Sequence, residues 1–186
     1  MSFDIFAIFN IFVLVEAIWL ILPAYTANGL VPFFKGKRPI DGNRKFIDGK
    51  PILGPGKTWE GLIYGSIIGA VIAFIQLLAL PYLPFEFSSV ALSIVPMSLL
   101  LGFLLGFGAL FGDIVASFFK RRIGIKRGHA APILDQDDFI IGALLFASLL
   151  IAIKIEWVIL LLVITPLLHL LANMIGYLIK VKKQPY

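Results

Sequence analysis

The sequence contains no cysteine and only two histidines among its 186 residues. Without thiols the chain forms no disulfide, zinc knuckle or iron–sulfur cluster, and it has no cysteine nucleophile. Charged residues are also scarce, at 15% of the chain, whereas apolar residues reach 60%. Typical soluble domains are about 45–50% apolar, so a soluble fold of this size would lack the polar surface to cover these side chains.

The apolar residues occur in long unbroken runs, as expected of an all-α integral membrane protein with a single transmembrane domain over residues 1–186. A helix needs about 20 apolar residues to cross a bilayer. The fourth run is short, and Lys154 at its end can snorkel to the interface. Asp4 and the length of the first run argue against a cleavable signal peptide. The predicted spans are residues 3–27, 61–83, 92–119, 139–153 and 157–179.

The basic residues predict the orientation of the five spans. Seven Lys and Arg lie between Asn28 and Trp59, five lie between Phe118 and Asp138, and three lie in the C-terminal tail. Only Lys154 of the sixteen falls elsewhere. The positive-inside rule therefore places the N-terminus outside and the C-terminus in the cytoplasm. Loops 28–60 and 120–138 are then cytoplasmic, and we expect the active site at that membrane interface.

The segment FGDIVASFFKRRIGIKRGHAAPILDQDDF, residues 111–139, carries the densest set of reactive side chains. If the third span continues as a helix, Asp113, Ser117 and Lys120 share one of its faces. Asp135 and Asp138 are three residues apart, so one helical turn would aim both the same way. Carboxylates that converge at a membrane boundary suit a hard divalent cation with oxygen ligands, by default Mg²⁺.

Structural explanations remain open for each of these acids. Asp113 could be a helix-end charge neutralised by Arg121 or Arg122. The acids at positions 135, 137 and 138 could cap the fourth helix, whose N-terminus favours negative charge. We assign that capping role to Asp137, because its spacing differs from that of the other two.

The segment GPGKTWEG, residues 54–61, ends the first cytoplasmic loop and opens the second span. Thr58 is placed as the N-cap and Glu60 lies in the first turn. A glycine-rich stretch with a lysine at a helix N-terminus can cradle phosphate, although a tight turn with a cap explains the same spacing. The glycines at positions 61, 65, 69, 102 and 106 follow small-xxx-small spacing and predict close helix packing.

Glu16 lies inside the first span and must face protein, a cation or water. Its candidate partners are His169 and Asn173 on the fifth span, or a substrate. Interhelical hydrogen bonding is the favoured role of His169 and Asn173.

The ordered motifs KTWEG, GD-x-x-x-S-x-x-KR-x-x-x-x-K and D-x-x-D closely resemble the catalytic half of the CTP:phosphatidate cytidylyltransferases, the CDP-diacylglycerol synthases. The five-span layout and the phrases RPIDG, DGKPILGPGKTWEG and IKRGHAAPILDQDDF resemble the archaeal branch, the CDP-archaeol synthases. The resemblance covers nearly the whole chain, and several motifs in the right order are more specific than any one of them.

The resemblance implies a multi-pass cell-membrane enzyme that transfers CMP from CTP to the phosphate of an isoprenoid ether glycerophospholipid precursor and releases pyrophosphate. It implies Mg²⁺, as one or two cations, with no nucleic-acid partner, and it leaves the oligomeric state open. The implied metal ligands are Asp113, Ser117, Asp135 and Asp138. The implied catalytic residues are Lys120, Asp138 and Asp113. The residues expected near the CTP phosphates are Lys57, Thr58, Glu60, Arg121, Lys126 and Arg127.

The chain departs from the broader family at two elements. The KD and PGHGG elements of the broader family appear in this chain as Lys126-Arg127 followed by GHAA. The changed sequence around His129 argues against a functional role for this histidine. The D-R-x-D element of the broader family appears as DQDD, residues 135–138. Both changes leave the triphosphate contacts less defined than the metal ligands.

Two other classes of membrane protein share features with this sequence. A CDP-alcohol phosphotransferase also uses Mg²⁺ and acids, but its DG-x-x-AR element does not occur here. A small transporter or structural subunit could use Glu16, Asp113 and Asn173 to line a pathway. Transporters usually show internal repeats, and this sequence has none that we detect. Divalent-dependent CTP binding discriminates the enzyme from the transporter.

Overall fold

The computed structural model describes residues 10–34, 36–83, 92–125 and 134–178, and within these ranges every regular element is a helix. In these ranges there are five α-helices, α1 (Ile11–Leu30), α2 (Trp59–Ala79), α3 (Leu99–Arg122), α4 (Leu134–Ala147) and α5 (Ile155–Leu178). A 3₁₀ turn follows α1 at Val31–Phe34, and a second follows α2 at Leu80–Tyr82.

Polar side chains fix the starts of the first three helices. Asn10 accepts a hydrogen bond from the amide of Phe12, Thr58 from that of Gly61, and Ser98 from that of Leu101. The cap role predicted for Thr58 is confirmed. Because Ser98 is the cap of α3, that helix begins at Leu99 and not at residue 92, and the preceding segment of the described chain is irregular.

Among the residues that the structure describes, three segments are long and apolar enough to cross a membrane, namely Ile11–Phe34, Trp59–Tyr82 and Leu99–Arg122. A fourth apolar stretch, Ile155–Leu168, is shorter. The helix α4 occupies Leu134–Ala147, so it starts inside the acidic segment and ends before the predicted limit at residue 153. The described part of the chain is thus all-helical, with three clear span candidates.

Small residues face inward on α2 and large apolar residues face outward. Gly61, Gly65, Gly69 and Ala73 are buried, whereas Ile67 is 49% exposed. The same outward side carries Ile63, Val71, Phe74, Ile75 and Leu78. A soluble helix buries its large apolar side chains, so this inverted arrangement fits a helix that meets lipid on one side and close helix packing on the other.

The helix α3 lies against both α2 and α4 through glycines. A Cβ on Gly106 would lie 2.8 Å from the carbonyl oxygen of Gly65, and one on Gly108 would lie 2.5 Å from that of Gly142. A Cβ on Gly112 would clash with the carbonyl oxygen of Asp138. The predicted glycine packing is confirmed for the α2–α3 pair. The glycines at 108, 112 and 142 allow the same close backbone packing between α3 and α4.

Glu16 connects three segments at the end of the bundle away from loop 36–58. Its carboxylate accepts hydrogen bonds from the Lys154 ammonium at 3.0 Å, from the Trp157 indole at 2.9 Å and from the amide of Ser93. Among the described residues, Glu16 thus has donors that the sequence analysis did not name, and the suggested pairing with His169 or Asn173 stays a prediction. The side chains of His169 and Asn173 lie outside the described residues.

Candidate active site

Loop 36–58 is ordered by short antiparallel contacts that deliver Lys57 to the start of α2. The amide of Ile40 donates to the carbonyl of Lys57 at 2.9 Å, and the amide of Trp59 donates to the carbonyl of Arg38 at 3.0 Å. Gly54 turns the chain at a φ of 102°, which disfavours residues with a side chain. The chain then passes through Pro55 and Gly56 to Lys57.

Lys57 forms an ion pair with Asp113, so the loop is joined to the membrane helix α3. The two side chains keep 23% and 27% of their surface exposed. An incoming anion can therefore reach the ammonium group without unfolding the loop. The resemblance placed Lys57 with nucleotide and Asp113 with metal, and the structure shows that the two residues are direct neighbours.

Lys120 forms a second ion pair, with Asp135 at the start of α4. Its side chain is 11% exposed, and the Asp135 side chain is 33% exposed. The predicted continuation of α3 through Lys120 is confirmed, because the helix ends at Arg122. Asp113, Ser117 and Lys120 thus lie on consecutive turns, and Ser117 is buried.

Asp138 is the most enclosed carboxylate of the group. It lies in the first turns of α4, where its backbone carbonyl meets Gly112 of α3. One side-chain oxygen accepts a hydrogen bond from the amide of Phe139 at 2.6 Å. The other oxygen, Oδ2, is buried and has no hydrogen-bond partner among the described residues. A buried carboxylate oxygen without a partner is costly, so this atom is suited to a cation.

The charges of the two ion pairs and Asp138 act on one another. The Asp113 carboxylate repels the charge on Asp138, whereas the ammonium groups of Lys120 and Lys57 attract it. In the described ranges no three acidic or histidine side chains already form a metal-binding group. Asp113 and Asp135 are instead held by lysines. The donor set fits a hard cation if the two lysines turn from these carboxylates toward phosphate.

A cavity of about 330 Å³ lies beside the Lys57–Asp113 pair. Its polar part is formed by Asn28, Gly56, Lys57, Thr58 and Asp113. Its apolar part comes from α1, the following 3₁₀ turn, α2 and α3, with the residues Val31, Pro32, Leu62, Leu110 and Ile114. The cavity therefore joins residues of loop 36–58 to residues of the apolar helices.

Thr58 and Glu60 support this cavity in different ways. Thr58 lines it and caps α2, and Gly36 packs so closely on Thr58 that a Cβ there would clash with the hydroxyl group. Glu60 accepts two hydrogen bonds from Arg38, at 2.8 Å from Nε and 3.1 Å from the amide. Glu60 is therefore engaged with the loop.

Arg121 is engaged with the protein backbone. Its guanidinium group donates to the carbonyl oxygens of Leu53 and Ile125. These bonds tie loop 36–58 to the end of α3. Lys126, Arg127 and His129 lie outside the described residues.

The comparison with known families decides the membership of the chain. The family model of the CarS-like CDP-archaeol synthases matches residues 8–186. The chain belongs to the CDP-archaeol synthase family.

Individual relatives agree with this assignment over nearly the full chain. A CDP-archaeol synthase of Thermococcus onnurineus is 45% identical over 173 residues, with 93% of this chain and 97% of the relative covered. One of Methanococcoides burtonii is 43% identical over 175 residues, with 89% and 99% covered. A solved structure described as an intramembrane enzyme for archaeal membrane lipids biosynthesis matches with a TM-score of 0.71 at 36% identity, with 86% of this chain and 93% of that chain covered.

Asp41 is a site-organising residue of this family member that sequence reasoning did not single out. Its carboxylate accepts hydrogen bonds from the amides of Leu53 and Gly54, both at 2.9 Å, and of Asn43 at 3.0 Å. Burial opposes its ionisation, but these amides hold the pKa of Asp41 below its usual value. The only signal was the phrase RPIDG, in which an acid precedes a glycine turn.

We expect Asp41→Asn to destabilise the protein by about 1–3 kcal/mol at neutral pH, the range for lost hydrogen bonds to a charged group. Since folding lowers the pKa of Asp41, its contribution is present above the unfolded pKa and is lost as the pH falls through the folded value. The difference from wild type should therefore shrink below about pH 4. Thermal unfolding of both proteins in detergent, from neutral pH to below about pH 4, measures this stability difference.

Asp48→Asn is the matched control, because Asp48 lies in the same loop and pairs with Arg122 at the surface. It should cost less than Asp41→Asn. Equal losses for the two variants, or a difference from wild type that does not depend on pH, would contradict the role of Asp41.

Proposed function

We propose that the site between loop 36–58, α3 and α4 catalyses transfer of the cytidylyl group from CTP to an isoprenoid ether lipid phosphate, which gives CDP-archaeol and pyrophosphate. The observation that carries this proposal is the convergence of two lysine–aspartate pairs and the buried Asp138 beside a cavity that is partly apolar. The charged side chains of such a site can bind the phosphates of a nucleotide, and its apolar lining can bind a lipid.

The reaction needs positioning and neutralisation of charge more than it needs a base. An oxygen of the lipid phosphate, already deprotonated near neutral pH, attacks the α-phosphorus of CTP. The bond from that phosphorus to the oxygen bridging the α- and β-phosphates breaks, and pyrophosphate leaves with this oxygen. Both substrates are anions, so their approach requires cations held in place beforehand.

Lys57 and Lys120 supply these cations. In the structure each ammonium is paired with a carboxylate, which balances its charge in the absence of substrate. When phosphate groups enter, the lysines can exchange a carboxylate for a phosphate oxygen. They then stabilise the negative charge that develops on the triphosphate.

Mg²⁺ is the cofactor that this donor set suits. Asp138 Oδ2 is unpaired among the described residues, and the carboxylates of Asp113 and Asp135 become available when their lysines turn to phosphate. Ser117 offers a hydroxyl group on the same face of α3. Bound there, Mg²⁺ would supply charge neutralisation and Lewis-acid polarisation of phosphate oxygens.

We also propose that all five helices cross the membrane, with the N-terminus outside and the site facing the cytoplasm. The clustering of basic residues in loops 28–60 and 120–138 and in the tail supports this orientation. The apolar surfaces of α1, α2 and α3 support the membrane location.

Pyrophosphate release tests the proposed reaction. Purified protein in detergent is given Mg²⁺ with CTP, ATP, GTP or UTP, each with and without digeranylgeranylglycerol phosphate or phosphatidate. We expect release only with CTP and a lipid phosphate together, with the ether lipid preferred, and no release after chelation of the metal. Folded protein that releases no pyrophosphate with any pair would refute the proposal.

Single substitutions test the roles of the site residues. Asp113→Asn, Asp135→Asn and Asp138→Asn should each lower turnover by about 10²-fold or more, the scale expected when a group that stabilises the transition state is removed. Asp137→Asn is the control on the same turn and should be mild. Lys120→Ala should lower turnover far more than Lys37→Ala, since Lys37 is an exposed loop cation. Wild-type turnover in all three asparagine variants would refute the proposed metal site. Equal losses of turnover in Lys120→Ala and Lys37→Ala would refute a role for Lys120 in the mechanism.

The absence of cysteine makes the orientation directly testable. Ile47 is 94% exposed in loop 36–58, and Tyr82 is 88% exposed at the far end of α2. In intact cells a membrane-impermeant maleimide should label Tyr82→Cys and should reach Ile47→Cys only after lysis. The reverse pattern would invert the orientation, and labelling of both before lysis would contradict the membrane arrangement.

A further inference from the structure

Asn28 is a polar side chain in the cavity that the motifs do not include. It lies in the last turn of α1, is half-buried, and lines the cavity together with Val31 and Pro32. Its carboxamide makes no hydrogen bond to any residue in the described ranges. The neighbouring Thr26, by contrast, donates to the carbonyl of Leu22 at 2.9 Å.

Asn28 carries a polar group on a segment, Ile11–Phe34, that is apolar enough to span a membrane, and it stands where that segment meets the cavity. Because no described residue takes up its carboxamide, the group is free to bind a ligand that enters the cavity. The carboxamide has two N–H donors and one carbonyl acceptor for that purpose.

The surroundings of Asn28 indicate which substrate it contacts. Val31, Pro32 and Leu62 give this part of the cavity an apolar wall, whereas the cationic side chain in the lining, Lys57, belongs to the loop. A triphosphate carries several charges and requires the cations on the loop and on α3. A lipid phosphate carries its anion next to a glycerol and apolar chains, which suits a neutral donor beside an apolar wall.

We propose that Asn28 binds the phosphate headgroup of the lipid substrate, with its side-chain N–H donating to a phosphate oxygen. This inference rests on the proposed cytidylyl transfer and adds a residue on α1 to the lipid side of that site. Asn28 positions the attacking phosphate, and Lys57 and Lys120 bind the nucleotide phosphates. The α1 helix thus contributes to substrate selection as well as to the bundle.

Steady-state kinetics of Asn28→Ala and Asn28→Asp in mixed micelles test this inference, with lipid phosphate and CTP varied separately. We expect the KM for lipid phosphate to rise about ten- to a hundredfold in Asn28→Ala, from loss of a hydrogen bond to a charged group. The rise should be larger in Asn28→Asp, because a carboxylate of the same shape repels phosphate. The KM for CTP should stay within about twofold of wild type in both variants.

Thr26→Ala is the matched control, since it removes a polar side chain from the same turn without altering the cavity lining. It should leave both KM values unchanged. A rise in the KM for CTP alone would place Asn28 with the nucleotide, and unchanged kinetics or identical effects of Asn28→Ala and Thr26→Ala would also overturn the inference. The same assay first measures the wild-type protein. If the wild-type protein transfers no cytidylyl group, that result refutes the proposed function and not the role of Asn28.

Discussion

Direct backbone contact along both sides of α3 is the constraint on which the rest of the structure depends. Gly106 lies against the backbone of α2, and Gly108 and Gly112 lie against α4. In lipid no hydrophobic effect drives helices together, so close van der Waals contact must do so, and only glycine permits it at these positions. This contact brings Asp113 of α3 within range of Lys57 on one side and of Asp138 on the other.

The charged groups at the site are stable there because they neutralise one another. Lys57 and Lys120 are each paired with an aspartate, and loop 36–58 is held over them by Arg121, which bonds to Leu53 and Ile125, and by Asp41. Such pairs gain little net stability, because desolvation offsets much of the attraction. On the proposed function, their value is that they hold two ammonium groups in place, ready to exchange one anion for another.

The sequence predicted local features well, and three-dimensional pairings poorly. The extension of α3 through Lys120, the Thr58 cap and the α2–α3 glycine contacts follow from residue type and spacing, which act over a few residues. The Lys57–Asp113 pair joins residues far apart in the chain, and the partners of Glu16 lie on two other segments. Spacing holds no information on such contacts. Asp41 was missed because its partners are backbone amides, which every residue has.

The two ends of the bundle use buried carboxylates in opposite ways. Glu16 has an ammonium, an indole and an amide as donors, so its charge is satisfied and it fastens three segments together. Asp138 Oδ2 has no partner in the described part of the chain, although it is just as enclosed. A buried carboxylate oxygen without a partner is unfavourable. On the proposed function, the partner of Asp138 is a cation supplied from outside the chain, and the chemistry then takes place at the end where loop 36–58 lies.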